Sequence, residues 1–93
     1  MPVLEGKTVL CADDDLEILS LVTRHVRSLG ATVLEASDGE EALATAKREK
    51  PDLIVLDVMM PGMSGWEVCR AIREDESLND TGVLMLTGIG ERL

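Results

Sequence analysis

The sequence predicts an α/β fold built on a doubly wound parallel sheet, and three observations carry that prediction. Apolar stretches of strand length alternate with stretches of helical period, giving the order βαβαβαβ between Lys7 and Leu86. The links between them are short, so each pair of strands is joined by a right-handed helical crossover. Leu53-Ile54-Val55-Leu56 is apolar without a break, the pattern of a central strand covered on both faces.

Each element follows from its residues. Lys7 to Ala12 (KTVLCA) forms a first strand that runs into Asp13-Asp14-Asp15, and Asp15 suits the N-cap of the next helix. Ile18, Leu19, Val22, Val26 and Leu29 recur at spacings of three and four, which predicts an amphipathic helix stopped at Gly30. Thr32 to Ala36 (TVLEA) alternates apolar and polar residues, as a strand near the sheet edge does. Asp38 with Glu41 carries a capping signature, and a short helix follows with Ala42, Leu43 and Ala46 inward. Pro51 closes the link to the central strand, which ends at Asp57.

After it, Val58-Met59-Met60-Pro61-Gly62-Met63-Ser64-Gly65 reads as a loop. Ser64 and Glu67 repeat the capping signature and begin a third helix, with Val68, Cys69 and Ile72 toward the core. Val83 to Leu86 (VLML) is a fourth strand of buried composition, followed by Thr87-Gly88. The strand order 2-1-3-4, as in flavodoxin-like sheets, fits best, because strand 2 has the edge pattern and strand 3 the most buried one.

The whole chain narrows the function. With 93 residues it is at most one domain, near the lower limit for a single core. A net charge of −9 opposes direct contact with nucleic acid, whose phosphates require Lys and Arg, and favours sites that hold a cation. No apolar run approaches the roughly 20 residues of a membrane span, and no signal-peptide stretch is present, so a cytoplasmic location is expected. Cys11 and Cys69 have no CxxC or His neighbour and are expected to be reduced and buried. His25 stands alone on a helix and fits an exposed or partly packed side chain.

The chemistry gathers at the carboxyl ends of strands 1 and 3. These neighbours flank the switch in winding direction, where sheets of this type place their ligands. Taken alone, Asp57 equally suits a loop cap. With Asp13 and Asp14 beside it, three carboxylates converge on one crevice. Two ionised carboxylates about 4 Å apart repel by roughly 4 kcal/mol at an effective dielectric near 20. Either one is protonated or a cation lies among them. Hard oxygen ligands with room for water suit Mg²⁺ better than Zn²⁺. No GxxxxGK phosphate loop is present. Thr87 ends strand 4, where its hydroxyl can point at the crevice, although an ordinary strand-end Thr reads the same way. Trp66, the only aromatic residue, is expected to pack near the site.

Asp13-Asp14 after strand 1, Asp57 within LIVLDVMMPGMSG and Thr87-Gly88 after strand 4 resemble the receiver domain of two-component response regulators. The resemblance covers about Lys7 to Glu91. It implies that Asp57 is the phosphoacceptor, taking a phosphoryl group from a histidine kinase or phosphotransfer protein. It further implies Mg²⁺ held by Asp14, Asp57 and the backbone oxygen of Met59, with Asp13 acting through water. Thr87 would be the switch hydroxyl. The implied role is a signalling switch read by a downstream protein or output domain, with self-phosphorylation and self-dephosphorylation as its only chemistry.

The family pattern also has a fifth strand with a Lys and an aromatic switch residue, and both would lie beyond Leu93. Residues 1–93 therefore resemble a single incomplete receiver domain. Lys7, Lys47 and Lys50 occupy other places in the pattern. Strand 4 as a sheet edge predicts one of two things: a protein that continues past Leu93, or a homodimer paired through that edge. A receiver-like interaction module that does not switch is the alternative function. A Mg²⁺-dependent phosphatase on a related sheet is weaker, since no second acid follows Asp57 at short spacing.

Overall fold

The computed structural model describes residues 3–86. Its sheet has the order β2-β1-β3-β4, all parallel, with β1 at Thr8–Ala12, β2 at Thr32–Ala36, β3 at Leu53–Asp57 and β4 at Gly82–Leu86. Three helices connect them: α1 at Leu16–Ser28, α2 at Gly39–Glu49 and α3 at Gly65–Arg73. This is the doubly wound, flavodoxin-like architecture expected from the sequence. The first strand starts at Thr8 rather than Lys7, and the fourth at Gly82 rather than Val83.

Alternation along the strands builds a core on each face. Leu10, Ala12, Ala36, Ile54 and Leu56 point to one side, where they join Ala42 and Ala46 of α2 and Val68 and Ile72 of α3. Val9, Cys11 and Val55 point to the other, against Leu19 and Val26 of α1. The small alanines on α2 let that helix lie close to the sheet. The two central strands carry the deepest residues, Val9 and Leu10 on β1 and Ile54 and Leu56 on β3, all fully buried.

The caps follow the sequence signals with one difference. Asp15 accepts from the amides of Glu17 and Ile18 at 3.0 and 3.3 Å. Ser64 and Glu67 form a complete reciprocal box. At α2, Asp38 accepts from the Glu41 amide at 2.7 Å, but the Glu41 carboxylate reaches back to Ser37, taking its N–H at 2.9 Å and its hydroxyl at 3.2 Å. α1 ends at Ser28, and Gly30 supplies a φ of 100° that turns the chain toward β2.

The link from α3 to β4 contains a turn of 3-10 helix, Glu76–Leu78, that the sequence reading did not anticipate. Asp75 caps it. The Ser77 hydroxyl and amide both donate to this carboxylate and hold it below the usual carboxylate range. Leu78 is buried from this turn. The next turn is pinned by buried Thr81, whose hydroxyl donates to the Pro51 carbonyl at 2.8 Å. Thr81→Val keeps the shape and removes this bond. It is expected to cost about 1 kcal/mol, read as a lower urea midpoint at unchanged slope.

Three packing expectations are corrected. Strand 4 has buried composition, yet Leu84 is 50% exposed, because β3 alone borders this strand among the described residues. Cys69 is partly exposed rather than buried, since it lies at the flank of the α3 contact. Trp66 is 60% exposed and does not pack, because its position in the first turn of α3 turns the ring outward. Cys11 is buried as expected. Desolvation, reinforced by the Glu35 charge, pushes its thiol up to about 11, which leaves it protonated and inert at neutral pH.

Candidate functional site

The register of β1 against β3 brings the acids together. Ala12 pairs with Leu56, so the residues that follow, Asp13 and Asp57, stand side by side at the carboxyl end of the sheet. Asp13, Asp14 and Asp57 each offer a carboxylate oxygen, and these oxygens lie within 4.8 Å of one another. The convergence is a consequence of where each apolar run stops.

The three carboxylates differ in surroundings. Asp14 is exposed and Asp57 half-buried, whereas Asp13 is only 4% exposed. Asp13 is held at both its backbone and its carboxylate. Its amide donates to the Ala36 carbonyl at 3.1 Å, and its Oδ1 accepts from the Asp15 amide at 2.8 Å. Burial pushes its carboxyl up to about 6, and the charges of Asp57, Asp14 and Asp15 add to the effect against that hydrogen bond.

A carboxyl whose folded pKa is raised binds its proton more tightly in the folded state, so stability falls as pH rises from about 4 to about 6. Discounted for solvent screening at the open side of the crevice, the expected loss is on the order of 1 kcal/mol in the metal-free protein. Urea midpoints of the native chain and Asp13→Asn, compared across this range in chelator, isolate the contribution. The Asn variant is expected to lack that part of the decline.

Asp57 is positioned by the segment that follows it. The Met59 amide donates to Asp57 Oδ1 at 3.4 Å, and the Val58 amide to the Leu86 carbonyl at 3.3 Å. The Gly65 amide then closes the loop onto the Val58 carbonyl at 3.0 Å. A Cβ on Gly65 would collide with the Asp57 carbonyl oxygen and come within 3.0 Å of Val58 Cα. Only glycine lets the start of α3 lie against the backbone of Asp57. The sequence reading missed this role; a Gly directly after a Ser N-cap was the available signal.

The remaining candidates stand elsewhere. Thr87 lies outside the described residues. His25 is exposed on α1. Lys50 donates to the Lys47 carbonyl and the Ser77 hydroxyl, both at 3.1 Å, so it is engaged on the α2 side of the fold rather than at the acids.

A divalent cation fits this donor set. Three oxygen donors converge, one of them buried with its charge opposed by the other two, and a hard cation relieves all three repulsions at once. No helix among the described residues is long and apolar enough to cross a membrane.

Comparison with known proteins agrees with this geometry. Residues 9–92 match the response regulator receiver domain family. The chain is 46% identical over 86 residues to the alkaline phosphatase synthesis transcriptional regulatory protein PhoP of Bacillus subtilis, covering 92% of this chain and 35% of that protein. It thus spans about a third of the length of the curated relatives it matches. Among solved structures, the N-terminal domain of a response regulator receiver protein from Methanoculleus marisnigri superposes with a TM-score of 0.83 at 36% identity, over 89% of this chain and 68% of that one. The response regulator TrrA of Thermotoga maritima, solved in complex with Mg²⁺-BeF, superposes with a TM-score of 0.81 at 36% identity, over 87% and 69%. Sheet order, acidic crevice and these matches agree: the chain belongs to the receiver domain family of two-component response regulators.

Proposed function

We propose that this protein is a phosphoacceptor switch in which Asp57 takes a phosphoryl group from a histidine kinase or phosphotransfer protein. The observation that carries the reading is the convergence of the Asp13, Asp14 and Asp57 oxygens within 4.8 Å at the carboxyl end of the sheet. A carboxylate is a weak nucleophile, so rate must come from placement and from compensation of charge on the phosphoryl oxygens. An Asp57 oxygen attacks phosphorus as the bond to the donor imidazole breaks, and the imidazole leaves with its electron pair. The product is an acyl phosphate, which water hydrolyses, so the mark is temporary.

Asp14, Asp57 and the Met59 backbone oxygen would hold Mg²⁺ directly, with Asp13 acting through water. When bound, the ion offsets the negative charge that the carboxylates and phosphoryl oxygens share. Asp13, buried and hydrogen-bonded to the Asp15 amide, keeps the floor of the site fixed. The Met59 amide orients Asp57 Oδ1. Thr87 is the hydroxyl assigned to sense the phosphoryl group.

The chemistry is confined to the domain's own carboxylate, so it is not an enzyme acting on a separate substrate. A downstream protein or output domain reads the switch. The relative named as a transcriptional regulatory protein suggests that DNA contact, where it occurs, belongs to an output domain rather than to this acidic chain. A cytoplasmic setting, with kinase and receiver in one compartment, fits this relay.

Calorimetric titration with Mg²⁺ tests the metal half of the reading. The native protein is expected to bind, and Asp14→Ala to lose at least tenfold in affinity, the scale seen when a ligand set is disturbed. Unchanged affinity in Asp14→Ala would remove Asp14 from the site.

A further inference from the structure

We infer that Gly39, the first residue of α2, is a positioning residue for the loop that carries Met59 away from Asp57. The inference rests on the metal site proposed above. Gly39 is buried, and a Cβ built on it would collide with the Met63 carbonyl oxygen and lie 2.9 Å from both the carbonyl carbon and the Cβ of Met63. The backbone of the loop thus seats directly on the start of α2. Its other anchors are the buried Met60 side chain and three hydrogen bonds at the ends: the Met59 amide to Asp57, the Val58 amide to Leu86, and the Gly65 amide to Val58. Gly39 holds the middle. Met60 fixes the loop through its buried side chain, whereas Gly39 fixes its backbone at Met63.

Gly39 is not required for its own backbone. Among the described residues the glycines with positive φ are Gly6, Gly30 and Gly62, so Gly39 adopts a conformation open to any residue. Its site is the first turn of a helix, where Ala is the better helix former. Local propensity therefore predicts that Gly39→Ala is neutral or stabilising, and only the contact with Met63 predicts harm. The collision is with backbone, which has no rotamer to escape into. The loop must shift, and the Met59 carbonyl shifts with it.

Mg²⁺ affinity by calorimetry, with urea unfolding alongside, separates these outcomes in the intact protein. Binding by the native chain and its loss in Asp57→Asn decide the underlying metal site. Gly39→Ala is then expected to unfold cooperatively and bind Mg²⁺ about tenfold more weakly, as when a supporting residue behind a metal ligand is disturbed. Glu40→Ala, one residue on and exposed, is expected to bind as the native chain does. Should Gly39→Ala lose cooperative unfolding, Gly39→Ala with Met63→Gly removes one of the clashing atoms and is measured in its place, with the same expectation. Native affinity in Gly39→Ala, an equal loss in Glu40→Ala, or failure of both Gly39 variants to fold would overturn the proposal while leaving the metal site standing.

Discussion

Asp57→Asn is expected to reduce phosphoryl incorporation to background while the protein stays folded. An amide is not a competent nucleophile toward phosphorus, and no neighbouring carboxylate can take over. Asp13 is buried and hydrogen-bonded in place, and Asp14 follows the neighbouring strand β1 rather than β3. The substitution also removes the largest of the three charges that raise the proton affinity of Asp13. Metal-free stability near neutral pH is therefore expected to be unchanged or slightly higher, not lower. Intact mass after exposure to a small acyl-phosphate donor, paired with thermal unfolding, checks both halves. Loss of incorporation together with loss of fold would return Asp57 to a structural role.

Leu56→Ala is expected to have the largest effect on stability. Leu56 is fully buried, the last apolar residue before Asp57, and it pairs with Ala12 on one side and Met85 on the other. Truncation leaves a cavity in the core that joins the sheet to α2 and α3, at a cost of about 3 kcal/mol within a range of about 2–5. Domains have only about 5–15 kcal/mol in total. A measurable fraction of the variant is then unfolded in buffer, and phosphorylation falls with the folded population. Leu84→Ala, on a strand residue that is 50% exposed, is the contrast and is expected to cost under about 1 kcal/mol. Equal losses at both positions would mean that β4 is covered as deeply as β3.

The route from sequence to site was short where it depended on chain order. Two apolar strands that end in carboxylates and become neighbours in the sheet must bring those carboxylates together. That holds without knowledge of any side-chain contact, and it placed Asp13, Asp14 and Asp57 correctly. Caps were equally legible at Asp15 and Ser64, because a cap is a local bond between residues a few positions apart.

Features set by non-local approach were not legible. Gly39 and Gly65 look like ordinary loop-to-helix glycines until Met63 and Asp57 are found where their side chains would be. Closeness along the chain did not reveal direction for Trp66, which follows Gly65 yet points to solvent. Composition read strand 4 as buried, but burial depends on neighbours that VLML itself does not specify. The 3-10 turn at Glu76–Leu78 is too short to show a period, and only Leu78 turns inward from a polar stretch.

On the function proposed above, the acidic crevice makes Asp57 a metal-dependent phosphoacceptor. Intact mass of the native protein after incubation with a small acyl-phosphate donor, in Mg²⁺ and in chelator, followed by peptide mapping, tests it most directly. The account predicts one added phosphoryl group, present only with Mg²⁺ and located on the peptide that contains Asp57. Incorporation of equal extent in chelator, or a phosphoryl group on any other residue, would contradict it.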